Sequence, residues 1–143
     1  MTREGDADRM SSADPTAGLP NLPFAGTLGI TIAGLTAEQA TATMAWAEHL
    51  CTLGGVLHGG ALMAFADTVG AVCAVANLPP GAGTSTIESK TNFFRAVRGG
   101  IVTATCKPLH VGRSTLVVQT DLRDEHGRLV AQITQTQAVS GAK

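Results

Sequence analysis

The segment 59–76 constrains the fold more than any other part of the sequence, because it predicts one long helix that is apolar on nearly every side. The run Asn77-Leu78-Pro79-Pro80-Gly81 ends this helix, since proline cannot continue it. An amphipathic helix needs cover on one face only, whereas this one needs cover all round. Its apolar side chains are Ala61, Leu62, Met63, Ala64, Phe65, Ala66, Val69, Ala71, Val72 and Val75.

Segments that predict β-strands precede and follow the helix in the sequence, and they can provide that cover. Alternating apolar residues from Ile30 to Trp46, interrupted at 34–39, predict a β-hairpin. After the helix, four segments rich in Thr, Val, Ile and Phe are separated by glycine turns, at 84–94, 101–111, 115–123 and 129–138. We therefore expect an α+β fold in which a hairpin and a four-strand meander form a curled antiparallel β-sheet wrapped around one long central α-helix.

The length of the chain fits a single domain of this kind. With 143 residues it can bury a sufficient core without disulfides or metals. Residues 1–20 mix charge, Ser, Gly and Pro without periodicity, so we expect a disordered or loosely packed tail there and a folded domain at 21–143. Within that domain, residues 21–29 can form a short helical turn around Phe24 and Leu28.

The composition indicates the redox environment of the protein and excludes some classes of binding partner. Cys51, Cys73 and Cys106 are an odd number without metal-ligand spacing, which indicates a reducing, cytoplasmic environment, with Cys73 and Cys106 as small buried hydrophobes. We see neither a signal peptide nor a membrane-spanning stretch. The net charge of −1 argues against general nucleic-acid binding. We expect no membrane, nucleic acid or metal partner.

The positive charges are unevenly distributed. No Lys or Arg occurs between Arg9 and Lys90, whereas the 24 positions 90–113 contain five basic residues and no Asp or Glu. These residues are Lys90, Arg95, Arg98, Lys107 and Arg113. A local basic field suits a polyphosphate ligand, although solvated strand edges that resist aggregation explain it equally well.

Asp67 is the only Asp, Glu, Lys or Arg between Glu48 and Glu88, and it lies within the apolar helix. A buried carboxylate is costly unless it is paired or hydrogen-bonded, and such groups often act as an acid or a base. The alternative is that Asp67 lies on a solvent-facing stripe with Thr68 and Gly70. The residues at the start of the helix favour a functional role for Asp67 over a position on a solvent-facing stripe.

The helix begins at His58-Gly59-Gly60. Free N–H groups and the positive end of the helix dipole converge there, and glycines allow a ligand atom close to the backbone. The N–H groups of Gly59 or Gly60 are therefore candidates to polarise a carbonyl oxygen, whereas His58 alone is equally explained as a turn residue.

Spacing along the helix links these features to a second copy of the chain. Gly60 and Asp67 lie on nearly the same face but about 10 Å apart along the axis. One carbonyl carbon cannot be close to both. Asp67 of one chain would instead serve the helix start of another, which predicts a two-fold homodimer with two shared active sites.

Three runs of sequence together carry a family resemblance: LHGGALMAFADT (57–68), GTSTIESKTNFF (83–94) and VGRST (111–115). Over residues 23–139 the chain resembles the hotdog-fold thioesterases of the phenylacetate-degradation and 4-hydroxybenzoyl-CoA type. The resemblance implies the hotdog fold and hydrolysis of an acyl- or arylacyl-CoA thioester, with coenzyme A as part of the substrate and no cofactor. It also implies a homodimer that often doubles to a homotetramer.

The resemblance assigns catalytic roles to several residues. Asp67 takes the position of the catalytic carboxylate, and the Gly59 and Gly60 amides take that of the carbonyl-polarising helix end of the partner, beside His58. Ser85 falls where family members place a hydroxyl that helps to hold the water. Thr52 stands where they commonly carry an Asn or Gln that orients water or substrate, and this departure leaves substrate and rate open.

The resemblance also suggests where coenzyme A binds. Gly112, Arg113 and Ser114 match a turn that often lies near the coenzyme A phosphates. We add Lys90 and Arg95 from the basic segment as further candidates.

Two other functions fit these residues. A hotdog enoyl-CoA hydratase or dehydratase also uses a carboxylate and a His near a helix start, and His58 would then take part in the chemistry rather than shape the loop. A non-catalytic acyl-CoA-binding module needs only the binding residues. Within a thioesterase, Asp67 acts either as a general base on water or as a nucleophile that forms a mixed anhydride.

Overall fold

The computed structural model describes residues 21–141, and the tail expected at 1–20 lies outside the described residues. Two α-helices, α1 (Pro23–Leu28) and α2 (Gly59–Val75), and two 3₁₀ turns (Glu48–Leu50 and Leu53–Gly55) accompany six strands. The strands are β1 (Ile30–Leu35), β2 (Ala40–Ala45), β3 (Gly83–Phe93), β4 (Ile101–Val111), β5 (Thr115–Arg123) and β6 (Leu129–Ser140). No helix in this part of the chain is long and apolar enough to cross a membrane.

All six strands form one antiparallel sheet in the order β1-β2-β4-β5-β6-β3. The sheet curls around α2, which contacts every one of its strands. The predicted α+β architecture, a curled sheet around one central helix, is therefore confirmed. The short helix α1 packs against α2 and β1 at the open side of the curl.

The predicted four-strand meander is wrong for β3. Only β4, β5 and β6 are successive neighbours, whereas β3 pairs with β6 at the far edge of the sheet. The segment 94–100 crosses from that edge back to β4 instead of forming a tight turn. Other elements hold its backbone: Phe94 N–H donates to Val130 O at 2.8 Å, and Leu57 N–H donates to Val97 O at 2.9 Å.

The core lies between α2 and the concave face of the sheet. Phe65, Val69 and Cys73 of α2 pack there against alternate strand residues such as Met44 and Cys106. Both cysteines are buried free thiols, as predicted. The interaction of Cys106 with Cys73 and the burial of its thiol raise the pKa of Cys106 above its usual range.

Candidate active site

Helix α2 leaves one stripe of its surface exposed. Gly60, Met63, Asp67 and Val75 face outward at the spacing of a single helix face. The expectation that α2 is covered on every side is therefore wrong in the protomer. The alternative solvent stripe is also incorrect in part, because Gly70 is buried and the neighbours of Asp67 along the exposed face are apolar.

The Asp67 carboxylate is held through one of its two oxygens. Gln135 Nε2 donates to Oδ1 at 2.7 Å, and Thr86 Oγ1 donates to the same oxygen at 3.0 Å. Oδ2 has no hydrogen-bond partner within the described residues. Oδ1 of the carboxylate is thus fixed in place, whereas Oδ2 is open to water or substrate.

Two buried amides support this arrangement from β6. Gln135 and Gln137 are both fully buried. Gln137 Nε2 donates to Thr86 Oγ1 at 2.9 Å, and Thr84 Oγ1 donates to Gln137 Oε1 at 3.2 Å. Sequence reasoning missed this network. Its signal was a period of two from Ile133 through Gln135 to Gln137, which assigns the glutamines to the buried face of the strand.

Ser85 does not contact Asp67 in the protomer. It lies between Thr84 and Thr86 on β3, and successive strand residues point to opposite faces. Because Thr84 and Thr86 point toward α2, the exposed Ser85 points away from it. The hydroxyl that the fold brings to the carboxylate is that of Thr86.

His58 is the N-cap residue of α2. Its Nδ1 accepts a hydrogen bond from the Gly60 N–H at 2.7 Å. An accepting Nδ1 carries no proton, so the ring proton lies on Nε2. This bond occupies one of the two amides proposed to polarise a carbonyl, and leaves the Gly59 N–H without a partner among residues 21–141.

The free amide and the open carboxylate lie at two separate places in the protomer. Gly59 and Asp67 are eight residues apart on a continuous helix, which corresponds to about 12 Å along its axis. Thr52 lies near the helix start, since its N–H donates to Val56 O at 2.8 Å just before Leu57 and His58. Thr86 and Gln135 lie at the other place, in contact with Asp67.

The turn at 112–114 lies at the end of the sheet where β4 joins β5. Gly112 N–H donates to Thr115 O at 2.8 Å, and Ser114 O accepts from the Val139 N–H at 2.9 Å. Arg113 is exposed at its tip. A Cβ on Gly112 would lie 2.6 Å from His110 Nε2, so only glycine allows the imidazole to lie over the turn.

Arg95 and Lys90 do not join this turn in the protomer. Arg95 N–H donates to Val130 O, whereas Thr115 pairs with Ala138, a separation of about 26 Å along β6. Lys90 lies between the two ends and is exposed, with Nζ donating to Asn92 Oδ1 at 3.2 Å. Arg95 lies at the sheet end near the start of α2, where Phe93 packs against Gly59.

Two apolar pockets open beside the exposed stripe, on either side of Phe24. The first, of about 290 Å³, lies between α1 and α2 and is lined by Leu22, Pro23, Phe24, Ala25, Asp67, Thr68, Ala71, Val72 and Val75. The second, of about 250 Å³, lies at the helix start and is lined by Phe24, Leu28, His49, Leu50, Cys51, His58, Gly60, Ala61 and Ala64. One pocket therefore contains the carboxylate and the other the helix start.

The helix inside the curled sheet thus carries both a carboxylate and a glycine-rich start. The chain belongs to the thioesterase superfamily, whose model matches residues 54–131, from the loop before α2 to β6. The match contains both the helix start and Asp67. The family resemblance inferred from the sequence motifs is thereby confirmed, together with thioester hydrolysis as the class of reaction.

Individual relatives agree with that assignment. A candidate esterase of Vibrio cholerae serotype O1 is 37% identical over 116 residues, which cover 81% of this chain and 77% of the relative. The 1,4-dihydroxy-2-naphthoyl-CoA hydrolase of Escherichia coli K12 is 35% identical over 85 residues, 59% of this chain and 62% of the relative. The crystal structure of a Haemophilus influenzae thioesterase superposes with a TM-score of 0.79 at 32% identity and 82% coverage of both chains.

Proposed function

We propose that this chain hydrolyses acyl- or arylacyl-CoA thioesters to a free acid and coenzyme A. The observation that carries the proposal is Asp67, whose carboxylate is tied down through Oδ1 and open through Oδ2 at the edge of an apolar pocket. The superfamily supplies the reaction class. The Escherichia coli relative, named as a hydrolase of a coenzyme A thioester, supports coenzyme A as the leaving group.

The pocket between α1 and α2 is the proposed site of the acyl group. Apart from Asp67 and Thr68, its lining consists of apolar side chains and proline. Its volume of about 290 Å³ is roughly twice that of an engineered cavity of about 150 Å³ that binds benzene. An uncharged acyl chain or aryl group of moderate size therefore fits it.

A complete site requires two protomers in this proposal. The free Gly59 amide and Oδ2 of Asp67 are too far apart in one chain to act on the same carbonyl carbon. The stripe that contains Asp67 is otherwise apolar, and among the described residues no strand lies beside the outer edge of β3. An antiparallel pairing of two α2 helices across a two-fold axis would bring each Asp67 to the partner's Gly59.

The same pairing would bring together the predicted coenzyme A residues. Arg113 lies at the end of the sheet where β3 begins and β6 ends, whereas Arg95 lies near the helix start. When the helix start of one protomer faces Asp67 of the other, Arg95 and Arg113 come from different chains to the same side of the site. Guanidinium groups suit the phosphates of coenzyme A, which we propose bind there.

The reaction follows from these positions. In the general-base form, Oδ2 of Asp67 takes a proton from water as the water oxygen attacks the thioester carbon. The negative charge that develops on the carbonyl oxygen is stabilised by the partner's Gly59 N–H and the helix dipole. The C–S bond then breaks and coenzyme A leaves as a thiolate. In the nucleophilic form, Oδ2 attacks the carbon directly, the C–S bond breaks with loss of coenzyme A as a thiolate, and water then hydrolyses the resulting anhydride to the free acid and the Asp67 carboxylate.

Asp67→Asn tests the proposal, because asparagine can keep the hydrogen bonds to Gln135 and Thr86 but is a poor base and nucleophile. We expect release of coenzyme A thiol from a panel of straight-chain and aryl-CoA esters to fall by at least about 100-fold, with the melting temperature unchanged. A thiol-reactive dye measures the release.

Asp121→Asn is the matched control. Asp121 lies on β5 and also accepts a hydrogen bond from a glutamine, Gln132 Nε2 at 2.9 Å, but it is remote from α2. Its variant should keep full activity. Near-normal hydrolysis by Asp67→Asn would remove Asp67 from the mechanism. A wild-type chain that binds acyl-CoA but releases no thiol from any ester would instead be a binding module.

A further inference from the structure

Gln135 is buried without satisfying its own hydrogen-bonding capacity. Its side chain is fully buried on the face of β6 that packs against α2. Nε2 donates to Asp67 Oδ1, but Oε1 has no partner within the described part of the chain. A buried carboxamide with an unpaired oxygen destabilises a fold relative to an apolar side chain of the same size. Its one described bond reaches Asp67.

Gly70 provides the space that Gln135 occupies. It lies one turn after Asp67 in the middle of α2, where glycine is less favourable than alanine. A Cβ at this position would lie 2.9 Å from Gln135 Cδ and would overlap Oε1. Both the glycine and the buried amide oppose stability, and both are needed for the same contact with Asp67.

The hydrogen bonds around Asp67 form a series of donors that ends at its Oδ1. Thr84 donates to Gln137, Gln137 to Thr86, and Thr86 to Oδ1, the oxygen to which Gln135 also donates. Donors that converge on a carboxylate oxygen fix the rotamer of that side chain. Because they converge on one oxygen, they leave the other free.

We propose that Gln135 is the positioning residue for Asp67 and that Gly70 serves to house its carboxamide. This inference rests on the proposed function, since it concerns the same carboxylate. Gln135 does not touch the substrate. It holds Oδ1 so that Oδ2 is directed toward the substrate and can accept a proton or attack carbon.

Gln135→Met tests this role, since methionine has nearly the same length and no donor. We expect kcat on the best acyl-CoA ester to fall about 10- to 100-fold, as for a lost hydrogen bond to a charged group, with KM changed less than about twofold. A residue that only fills space would leave kcat unchanged, since methionine fills nearly the same volume as glutamine.

Gln119→Met is the matched control. Gln119 is a half-buried glutamine of β5 whose Nε2 donates to Thr134 Oγ1 at 3.2 Å, away from Asp67. Its kcat and KM should match those of the wild type. Thr86→Ser should retain most activity because it keeps the hydroxyl, whereas Thr86→Val should lower kcat with little change in KM, as Gln135→Met does.

A double-mutant cycle tests the part played by Gly70. Gly70→Ala should lower kcat in the wild-type background because it displaces Gln135. In a Gln135→Ala background the same change should have no further effect on kcat, since no carboxamide remains to be displaced. Additive losses in the cycle would overturn the role of Gly70.

The failures of the two proposals are distinguishable. A folded Gln135→Met with wild-type kcat overturns the positioning role, while activity lost in Asp67→Asn leaves the proposed function intact. If Gln135→Met does not fold, a wild-type kcat in Thr86→Val overturns the role instead. A wild-type chain that hydrolyses no ester contradicts the proposed function itself.

Discussion

At the scale of single residues, the site is defined by the polar atoms that the fold leaves unbonded. Gly59 and Gly60 are adjacent glycines at the start of α2, yet only the Gly59 N–H has no partner among residues 21–141, because the Gly60 N–H donates to His58. Likewise, the two oxygens of Asp67 differ, since Oδ1 accepts two hydrogen bonds and Oδ2 none within the described residues. The proposed mechanism uses this N–H and this carboxylate oxygen.

His58→Ala removes the side chain that caps α2. We expect the free energy of unfolding to fall by about 1 kcal/mol, the usual cost of losing an N-cap, and turnover to fall less than about tenfold because the Gly59 amide remains. Urea unfolding and thiol release measure the two effects.

His58→Asn is the matched variant, because asparagine is a good N-cap residue. It should recover most of the lost stability and activity. If both variants lost turnover by more than about 100-fold with unchanged stability, His58 would take part in the chemistry. Hydration of an enoyl-CoA by the wild type would then favour the hydratase interpretation.

The sequence predicts part of this site because Asp67 is visible without a structure. It is the lone charge in a long apolar stretch, and the glycines at the helix start are equally local signals. Gln135 and Thr86 are not visible in this way, since they reach Asp67 only when β3 pairs with β6. Their positions in the alternating pattern of the strands predict that both side chains face inward. The pattern does not identify the residue that they contact.

At the scale of elements, α1 and α2 together form the proposed acyl site. Phe24 of α1 is 60% exposed and separates the pocket that contains Asp67 from the pocket at the helix start. Ala71 and Val75 form part of the α2 wall of the first pocket. The length of acyl chain accepted should therefore depend on the size of these side chains.

Ala71→Leu should shorten the range of accepted acyl chains. The larger side chain fills part of the first pocket, so we expect kcat/KM for the longest substrates of the wild type to fall at least about tenfold, with acetyl-CoA little affected. Thiol release across a series of chain lengths measures the shift. Ala33→Leu, on an exposed position of β1, is the control. An equal loss at all lengths would place the acyl group elsewhere.

The bounds of the strands were largely predictable, whereas their order was not. Turns containing Gly and alternating apolar residues are local signals, and β4 and β5 begin and end where the pattern indicates. The pairing of β3 with β6 depends on where the segment 94–100 runs across the sheet. That path is fixed by contacts with Leu57 and Val130, which are distant in sequence.

At the scale of the whole molecule, two surfaces of the protomer fit the proposed assembly. Within residues 21–141, no strand lies beside the outer edge of β3, and one stripe of α2 is exposed. Exposed apolar side chains such as Met63, Val75 and Ile87 lie on these two elements. A long edge strand without a neighbour is a site for pairing with another chain, which agrees with the proposed homodimer.

Mixed dimers test whether the active site is shared. Gly59→Pro removes the free N–H at the first position of α2, where proline is otherwise well tolerated, and should lower turnover about 100-fold or more. A heterodimer of Gly59→Pro with Asp67→Asn, isolated through two different tags, should regain about half of the wild-type activity, since one of its two sites has both groups intact.

Gly59→Ala controls for the added Cβ, which would meet Phe93 Cζ at 3.1 Å but leaves the N–H in place. It should stay far more active than Gly59→Pro. A heterodimer as inactive as its two parents would mean that each site lies within one chain. An active monomer in sedimentation analysis would contradict the shared site directly.

Gly70 has a consequence for attempts to engineer this enzyme. Replacing a glycine in the middle of a helix by alanine is a common route to higher thermal stability, with a gain of about 0.5–1 kcal/mol. Combined with an apolar residue in place of Gln135, that change would remove a buried oxygen that has no partner within residues 21–141, and it would strengthen α2. A selection for heat resistance alone would therefore favour both substitutions, and the survivors would be robust proteins that turn over little substrate.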